Sequence, residues 1–392
     1  MKLAHLADVH LGFRQYHRHT PGGINQREAD VANAFRGTVD ALLVAQPDAV
    51  VIAGDFFHSV RPTNQAIIFA FQQLQRIREA LPQAPMVLLA GNHDTPRSRE
   101  TGEIISLFRA LDVEVVAHEA RRLVYPDLDL SILAVPHQAL AGEERPRLAP
   151  AGEARFQVLA MHAEIEGALP GDGHLREYGG AVVRQADVTP AEWTYVALGH
   201  YHVQSQVAPN MWYAGSLEYT STNPWGELLE EAERGLVGKG WLAVDLATGE
   251  ATRVPVPRAR RLLDLPAIEG ADLSAAELDR LIGERVRSLA DGLTGQIVRL
   301  VLFDVPRHIG RELDYAAIRA YKADALHFRL DIRRPRERRT VGVGSPARRQ
   351  TLPEVVAEYL GRRPLPVEVD RETFVQTGTE LITAVSREVA EE

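Results

Sequence analysis

The sequence predicts an α/β layered fold, followed by a smaller α+β module and two terminal helices. Three observations carry that expectation. Over the first two hundred residues, short apolar runs alternate with amphipathic stretches. Motifs rich in Asp, Asn and His recur where those apolar runs end. After about Val254 the pattern changes to a shorter strand–helix alternation flanked by arginine clusters.

Leu3 to Ala7 reads as a strand. Glu28 to Ala45 has helical periodicity, with Val31, Phe35, Val39, Leu42 and Leu43 on one side. Ala49 to Ala53 reads as a buried strand, Thr63 to Leu81 as a helix after Pro62, and Met86 to Ala90 as a third strand. Glu103 to Leu111 follows as a helix. Further strands are expected at Val113 to Val116, Leu130 to Val135, Phe156 to Met161, Tyr195 to Leu198 and Trp241 to Val244. Helical crossovers favour parallel pairing early in the chain, and the later, shorter spacings favour antiparallel additions.

Beyond Val254, Arg253, Arg258, Arg260 and Arg261 form a basic connector broken by prolines. Leu273 to Leu289 then reads as a helix, Ile297 to Phe303 as a strand, Leu313 to Tyr321 as a helix and Leu326 to Ile332 as a strand. A second arginine-rich stretch, Arg333 to Arg339 with Arg348 and Arg349, precedes two helices at Leu352 to Leu360 and Arg371 to Val389, separated by Pro364 and Pro366. The expected domains are 1–254, 255–340 and 341–392. No internal repeat is present.

The chain has no cysteine. Disulfides, thiolate metal sites and a cysteine nucleophile are therefore excluded, and any metal must rest on His, Asp, Glu or Asn. The N-terminal segment is too short and polar for a signal peptide, and no apolar run reaches membrane-spanning length, so a cytoplasmic protein is expected. The formal charge of −9 does not suit a surface that is basic all over. Nucleic-acid binding needs only a local positive patch, so that class stays open.

Five motifs fall at expected strand ends: Asp8-Val9-His10, Gly54-Asp55-Phe56-Phe57-His58, Gly91-Asn92-His93-Asp94, Met161-His162 and Gly199-His200-Tyr201-His202. In open α/β sheets that edge is where ligands bind. Residues two apart in extended chain face the same way, so Asp8 and His10 can share a target, as can His200 and His202. The glycines before Asp55, Asn92 and His200 are expected to permit sharp turns. Carboxylate, imidazole and amide oxygen together suit two adjacent divalent ions, manganese, iron, zinc or magnesium-like ions over copper or calcium. Two ions about 3.5–4 Å apart clamp a phosphate and activate a water near neutral pH. Asp55 is the candidate bridge, with Asp8, His10 and His202 completing one site and Asn92, His162 and His200 the other. Taken singly, each of these histidines reads as an ordinary structural residue; it is the ordered set that points to metal. His17, His19, His118, His137, His174, His308 and His327 lie outside the motifs and read as non-ligands.

This pattern resembles the calcineurin-like metallophosphoesterase superfamily over roughly residues 1–245. Gly54-Asp55-Phe56-Phe57-His58, the opening His5-Leu6-Ala7-Asp8-Val9-His10-Leu11-Gly12 and Tyr213-Ala214-Gly215-Ser216-Leu217-Glu218 are similar to its DNA-repair exonuclease branch, the SbcD (Mre-eleven) nuclease subunits. The resemblance implies a layered β-sandwich flanked by helices, with a smaller α+β capping domain, here about Pro266 to Ile332, and C-terminal helices. It further implies manganese-dependent exonuclease and endonuclease activity on DNA, the seven metal ligands named above, His93 as catalytic histidine and His58 as a second active-site histidine. Asp94 is expected to orient His93 by accepting its other ring proton. Implied partners are DNA, a second copy of the chain, and an SbcC-like (Rad-fifty-like) coiled-coil ATPase. That ATPase would dock on the apolar faces of Leu352, Val355, Val356, Tyr359, Leu360, Phe374, Leu381, Ile382 and Val385, which read equally as an intramolecular core. The arginine clusters read either as phosphate contacts or as solvated charge. Glu227 to Glu233 is an acidic departure from the family pattern near the substrate-side loops. Two rival functions share the fold: a phosphoesterase for nucleotides or other small esters, and a non-catalytic scaffold. Hydrolysis of a generic phosphodiester separates the scaffold from the enzymes, and DNA compared with small esters separates the two enzymes.

Overall fold

A computed structural model describes residues 1–96, 102–142, 144–168, 179–335, 351–363 and 370–391, with side chains from 384 onward left out. Two compact units make up the chain, Met1–Pro335 and Arg336–Glu392. In chain order the first part of unit one runs β1 (Lys2–Leu6), α1 (Gln26–Ala45), β2 (Ala49–Ile52), α2 (Asn64–Ala80), β3 (Met86–Leu89) and β4 (Val113–Val116). The next part runs β5 (Arg121–Tyr125), β6 (Leu130–Val135), α3 (His137–Ala141), β7 (Phe156–His162), β8 (Glu164–Ile165), β9 (Val182–Val183), α4 (Gln185–Val188) and β10 (Tyr195–Gly199). It closes with β11 (Ser205–Ala208), β12 (Met211–Tyr213), α5 (Pro224–Glu233), β13 (Gly240–Asp245) and β14 (Glu250–Pro255).

These strands form two six-stranded sheets, ordered β14-β13-β1-β2-β3-β4 and β11-β12-β10-β7-β6-β5. Apolar side chains from both inner faces, among them Leu3, Val51, Val87, Ile132, Val158 and Ala197, make one buried cluster between the sheets. On the outer face of the first sheet, α1 and α2 lay down Val31, Phe35, Val39, Leu42, Leu74 and Ile77. Val31, Phe35, Val39 and Leu42 are the stripe the periodicity predicts for α1; Leu43 sits at its half-buried margin. The side chains of Asn25 and Thr63 cap the two helices, which is why they start where they do.

The short later connections do give antiparallel pairs, at β5–β6, β11–β12 and β13–β14, with β13 also antiparallel to β1. The core of the second sheet, β6, β7, β10 and β12, is parallel throughout. Both sheets therefore end their parallel strands at the same edge, which is where the motifs lie.

Unit one continues into a three-stranded parallel sheet, β15 (Leu262–Glu269), β16 (Ile297–Phe303) and β17 (His327–Ile332), with α6 (Ala275–Arg287), α7 (Arg307–Glu312) and α8 (Tyr315–Asp324). The helix expected at Leu313 to Tyr321 is α8, shifted a few residues along the chain, and a short α7 that was not expected precedes it. Asp314 accepts from the backbone N–H groups of Ala316 and Ala317 and so starts α8 afresh. The module is tied to the sandwich by Tyr16 stacked on His327 at 4.0 Å and by an apolar cluster of Tyr219, Trp225, Leu262, Ile297 and Leu326.

The described arginines of the connector have partners within the chain. Arg253 lies on β14 and donates to the Gly238 carbonyl. Arg260 pairs with buried Asp30 at 2.8 Å, Arg261 with Asp291 at 2.7 Å, and Arg258 lies over the Tyr219 ring. Arg333 pairs with Asp331 at 3.2 Å. Arg336 to Arg339, Arg348, Arg349, Pro364 and Pro366 lie outside the described residues.

Unit two contains α9 (Leu352–Gly361) and α10 (Arg371–Glu391). They pack closely enough that a Cβ on Gly378 would stand 2.2 Å from a methyl carbon of Leu360. Leu352, Val355, Tyr359 and Leu381 remain exposed. Among the described residues no helix is long and apolar enough to cross a membrane.

Candidate metal centre

The chain leaves its strands through unusual backbone at this edge. Asp8, His10, Asp55 and His200 have φ values of 51, 52, 50 and 104°. Such conformations cost non-glycine residues about 1–3 kcal/mol each and persist only where the surroundings hold them. The expectation that Asp8 and His10 converge through extended geometry is therefore corrected: both sit in left-handed turns after β1 has ended. The glycines are corrected too. Gly54 does take a positive φ, 93°. At Gly91 and Gly199 the need is close approach: a Cβ would lie 2.0 Å from Asp55 Oδ1 and 1.9 Å from the Ala53 carbonyl oxygen, respectively.

Side chains from both sheets now meet. Asp8, His10 and His202 form one group, Asp55, His162 and His200 a second, and His10, His58 and His93 a third; within each, the donor atoms lie within 4.8 Å of one another. Nε2 of His10 is 2.9 Å from Nε2 of His202. Asn92 Oδ1 is 2.9 Å from His162 Nε2 and 3.2 Å from His200 Nδ1, so it joins the second group. Asp8 is anchored by accepting from the backbone N–H of His200 at 3.0 Å. Asp55 stands between the groups. Its Oδ1 accepts from the His93 backbone N–H at 2.8 Å. Its Oδ2 makes no hydrogen bond, and lies 3.4 Å from His162 Nε2 and 3.9 Å from His10 Nε2.

This set fits divalent cations. Asp8, His10, Asp55 and His162 are fully buried, and a buried carboxylate needs positive charge beside it, which either a protonated His162 ring at 3.4 Å or a cation in its place supplies. The donors are nitrogen and oxygen only, which suits first-row divalent ions. The electrostatics point the same way. Burial opposes charge on His162, yet Asp55 and then Asp8 outweigh it and raise the ring to about 10. Burial likewise opposes charge on Asp55, but His162 and its neighbours hold the carboxyl well below its usual range. Burial, followed by His162, depresses His200 to about 3. The carboxylates thus draw positive charge toward His162, whereas His10 and His200 are held neutral with their lone pairs available.

The two catalytic candidates sit beside these groups. His58 and His93 stack at 5.1 Å, and His58 Nδ1 lies 3.3 Å from His10 Nδ1. The role expected of Asp94 is not what the structure holds. Nδ1 of His93 donates to the carbonyl oxygen of His58 at 2.8 Å. Asp94, fully buried, accepts instead from the backbone N–H groups of Phe56, Phe57 and Gly91 at 3.0, 2.9 and 3.1 Å. It ties the Gly54–His58 loop to the Gly91–Asp94 loop and serves the site by fixing both. Burial, then nearby Asp55, raises its carboxyl to about 6.

Of the histidines expected to be non-ligands, His17, His19, His118, His137, His308 and His327 join no donor group among the described residues; His174 lies outside them. His137 comes nearest, with its ring 6.5 Å from that of His162. The acidic stretch on α5 is not a charged wall toward substrate. Glu227, Glu230 and Glu231 are buried, facing Lys239, Tyr201 and Tyr219. Burial opposes ionisation of Glu227, but Lys239 and His202 prevail and lower its carboxyl to about 2. Sequence reasoning missed this residue, although the spacing 227, 230, 231 marks a single helix face.

The calcineurin-like phosphoesterase family profile matches residues 1–204. A protein of Rhodobacter capsulatus, the D subunit of nuclease SbcCD, is 30% identical over 325 residues, covering 72% of this chain and 76% of that one. "DNA double-strand break repair protein Mre11" of Sulfurisphaera tokodaii is 29% identical over 216 residues, 52% of this chain and only 49%, about half, of the relative's length. The protein of the same name from Methanocaldococcus jannaschii is 24% identical over 284 residues, 71% and 68% of the two chains. With its profile match spanning the donor-bearing edge of the sandwich through His202, the chain belongs to the calcineurin-like phosphoesterase family.

Proposed function

We propose that the chain is a DNA nuclease that hydrolyses phosphodiester bonds with two divalent ions, manganese in the first instance. Asp8, His10, His202 and Asp55 would hold one ion, and Asp55, Asn92, His162 and His200 the other. The observation that carries the reading is Asp55 Oδ2, buried, without a hydrogen bond and facing both donor groups. When bound, the ions would neutralise phosphate charge and activate water for in-line attack at phosphorus.

The chain's own residues supply the rest. The His58 carbonyl can only accept, so it keeps a proton on Nδ1 of His93 in every charge state. Only Nε2 of His93 then exchanges a proton, which suits a group that stabilises developing charge or protonates the leaving oxygen. His58 lines the same side and is held largely neutral: burial, and next His93, depress it to about 4. The module of residues 255–340 is proposed to cap the site over DNA. Residues 341–392 are proposed to dock an SbcC-like coiled-coil ATPase; the exposed apolar positions of α9 and α10 support this, as does the name of the Rhodobacter relative, which makes it one part of a larger nuclease.

The test is hydrolysis of linear duplex and hairpin DNA with and without manganese, and with and without a co-expressed ATPase. Asp55→Ala serves as control. Nucleotide release that requires manganese and disappears in Asp55→Ala is the expected result. Hydrolysis of small esters with none of DNA would replace this reading with the small-ester one.

A further inference from the structure

We propose that Glu227 is a positioning residue for His202, holding its ring so that Nε2 faces the metal centre, with Lys239 holding Glu227 in turn. This rests on the reading of His202 as a metal ligand. The two ring nitrogens of His202 have different neighbours. Nε2 lies 2.9 Å from His10 Nε2, inside the group that includes Asp8. Nδ1 lies 3.7 Å from Glu227 Oε1. Both side chains are almost wholly buried, and Glu227 Oε1 accepts no hydrogen bond among the described residues.

The other oxygen of Glu227 is taken by the Lys239 ammonium, which also donates to the His202 carbonyl at 3.0 Å and reaches Glu231 at 2.9 Å. One buried cation therefore fastens the carboxylate to the backbone of the very residue it faces. Metal-binding histidines ordinarily give their second N–H to a carboxylate, which fixes the tautomer and aims the free lone pair at the ion. Glu227 is the only one of the three buried glutamates of α5 aimed at His202. Glu230 takes the Tyr201 hydroxyl and Arg234, whereas Glu231 takes the Tyr219 hydroxyl and Lys239. A purely structural network would make Glu227 and Glu231 equivalent. The geometry makes them different.

Calorimetric titration of the full chain with manganese tests this, using wild type, Glu227→Gln and Glu231→Gln, with a thermal melt of each. Glu227→Gln is expected to weaken one of the two manganese sites by about 10–100-fold and leave the other unchanged. Glu231→Gln should lose comparable thermal stability while holding both sites within roughly twofold of wild type, in contrast to the full effect on metal affinity expected of a positioning carboxylate. If Glu227→Gln alone does not fold, Glu227→Asp keeps the negative charge beside Lys239 but draws the carboxylate back from His202 Nδ1, and should show the same single-site loss. Equal weakening in Glu227→Gln and Glu231→Gln, or none in either, overturns the role of Glu227 while leaving the metal centre intact. A wild-type chain that binds no manganese overturns the metal-centre reading itself, and this inference with it.

Discussion

Nδ1 of His93 donates to the carbonyl oxygen of His58 at 2.8 Å, so the backbone of one candidate catalytic histidine orients the ring of the other. A side-chain substitution at His58 keeps that carbonyl. His93 should therefore stay in place in His58→Ala.

His93→Ala should keep metal content near wild type, because Asp8, His10, Asp55, Asn92, His162, His200 and His202 do not depend on its ring. Turnover should fall by about 10²–10⁴-fold, the range for a positioned proton donor. Elemental analysis alongside single-turnover kinetics checks both halves. Loss of one metal equivalent would make His93 a ligand and overturn the division of roles.

Asp94→Ala should act through stability. It leaves the buried N–H groups of Phe56, Phe57 and Gly91 without their acceptor. A loss of about 2–5 kcal/mol is expected, visible as a melting temperature several degrees lower. A variant that melts like wild type but shows a shifted pH–rate profile would restore Asp94 as the residue that orients His93.

His5, which is in none of the donor groups, gives a pH prediction. Its ring is fully buried beside the Tyr195 hydroxyl at 3.0 Å, and burial lowers it from 6.5 to about 3. A depressed pKa means the folded state holds the ring neutral. The stability is therefore present above pH 6.5 and is lost as pH falls from there toward 3. One such group amounts to ~2 kcal/mol between pH 6.5 and 5. His5→Gln can still bond to Tyr195 but does not titrate. Urea denaturation at pH 7 and 5 should show a smaller loss for the variant than for wild type. Identical losses would contradict the assignment.

Ending the chain at Pro335 removes the second unit. The truncated protein should melt close to the full chain and keep manganese-dependent cleavage of single-stranded DNA, while losing association with an SbcC-like ATPase. Co-purification of the truncated chain with the ATPase, or a large drop in melting temperature, would count against a docking role for residues 341–392.

The sequence disclosed the central strands and the ligands for one reason: each states its job locally. Ala49 to Ile52 is apolar on both faces because both faces are buried, and Asp8 or His162 carries its own donor atom. Edge strands speak less clearly. β5 and β14 present charged and half-exposed positions in place of a clean alternation. β15 contains Pro266, which argues against a strand, and it is tolerated because β15 is an edge strand whose register shifts between Leu265 and Ile268. The roles of Asp94 and Glu227 were hidden for another reason. Their work is done on backbone N–H groups of a distant loop and on the rear of a ligand 25 residues away in sequence, and only the fold brings those partners together.

The most direct test of the two-metal centre is the anomalous difference map of crystals grown with manganese. Two peaks about 3.5–4 Å apart are predicted, with the Asp55 carboxylate between them and His93 and His58 beside them, not bound to either. A single peak, or manganese away from Asp55, would contradict the account.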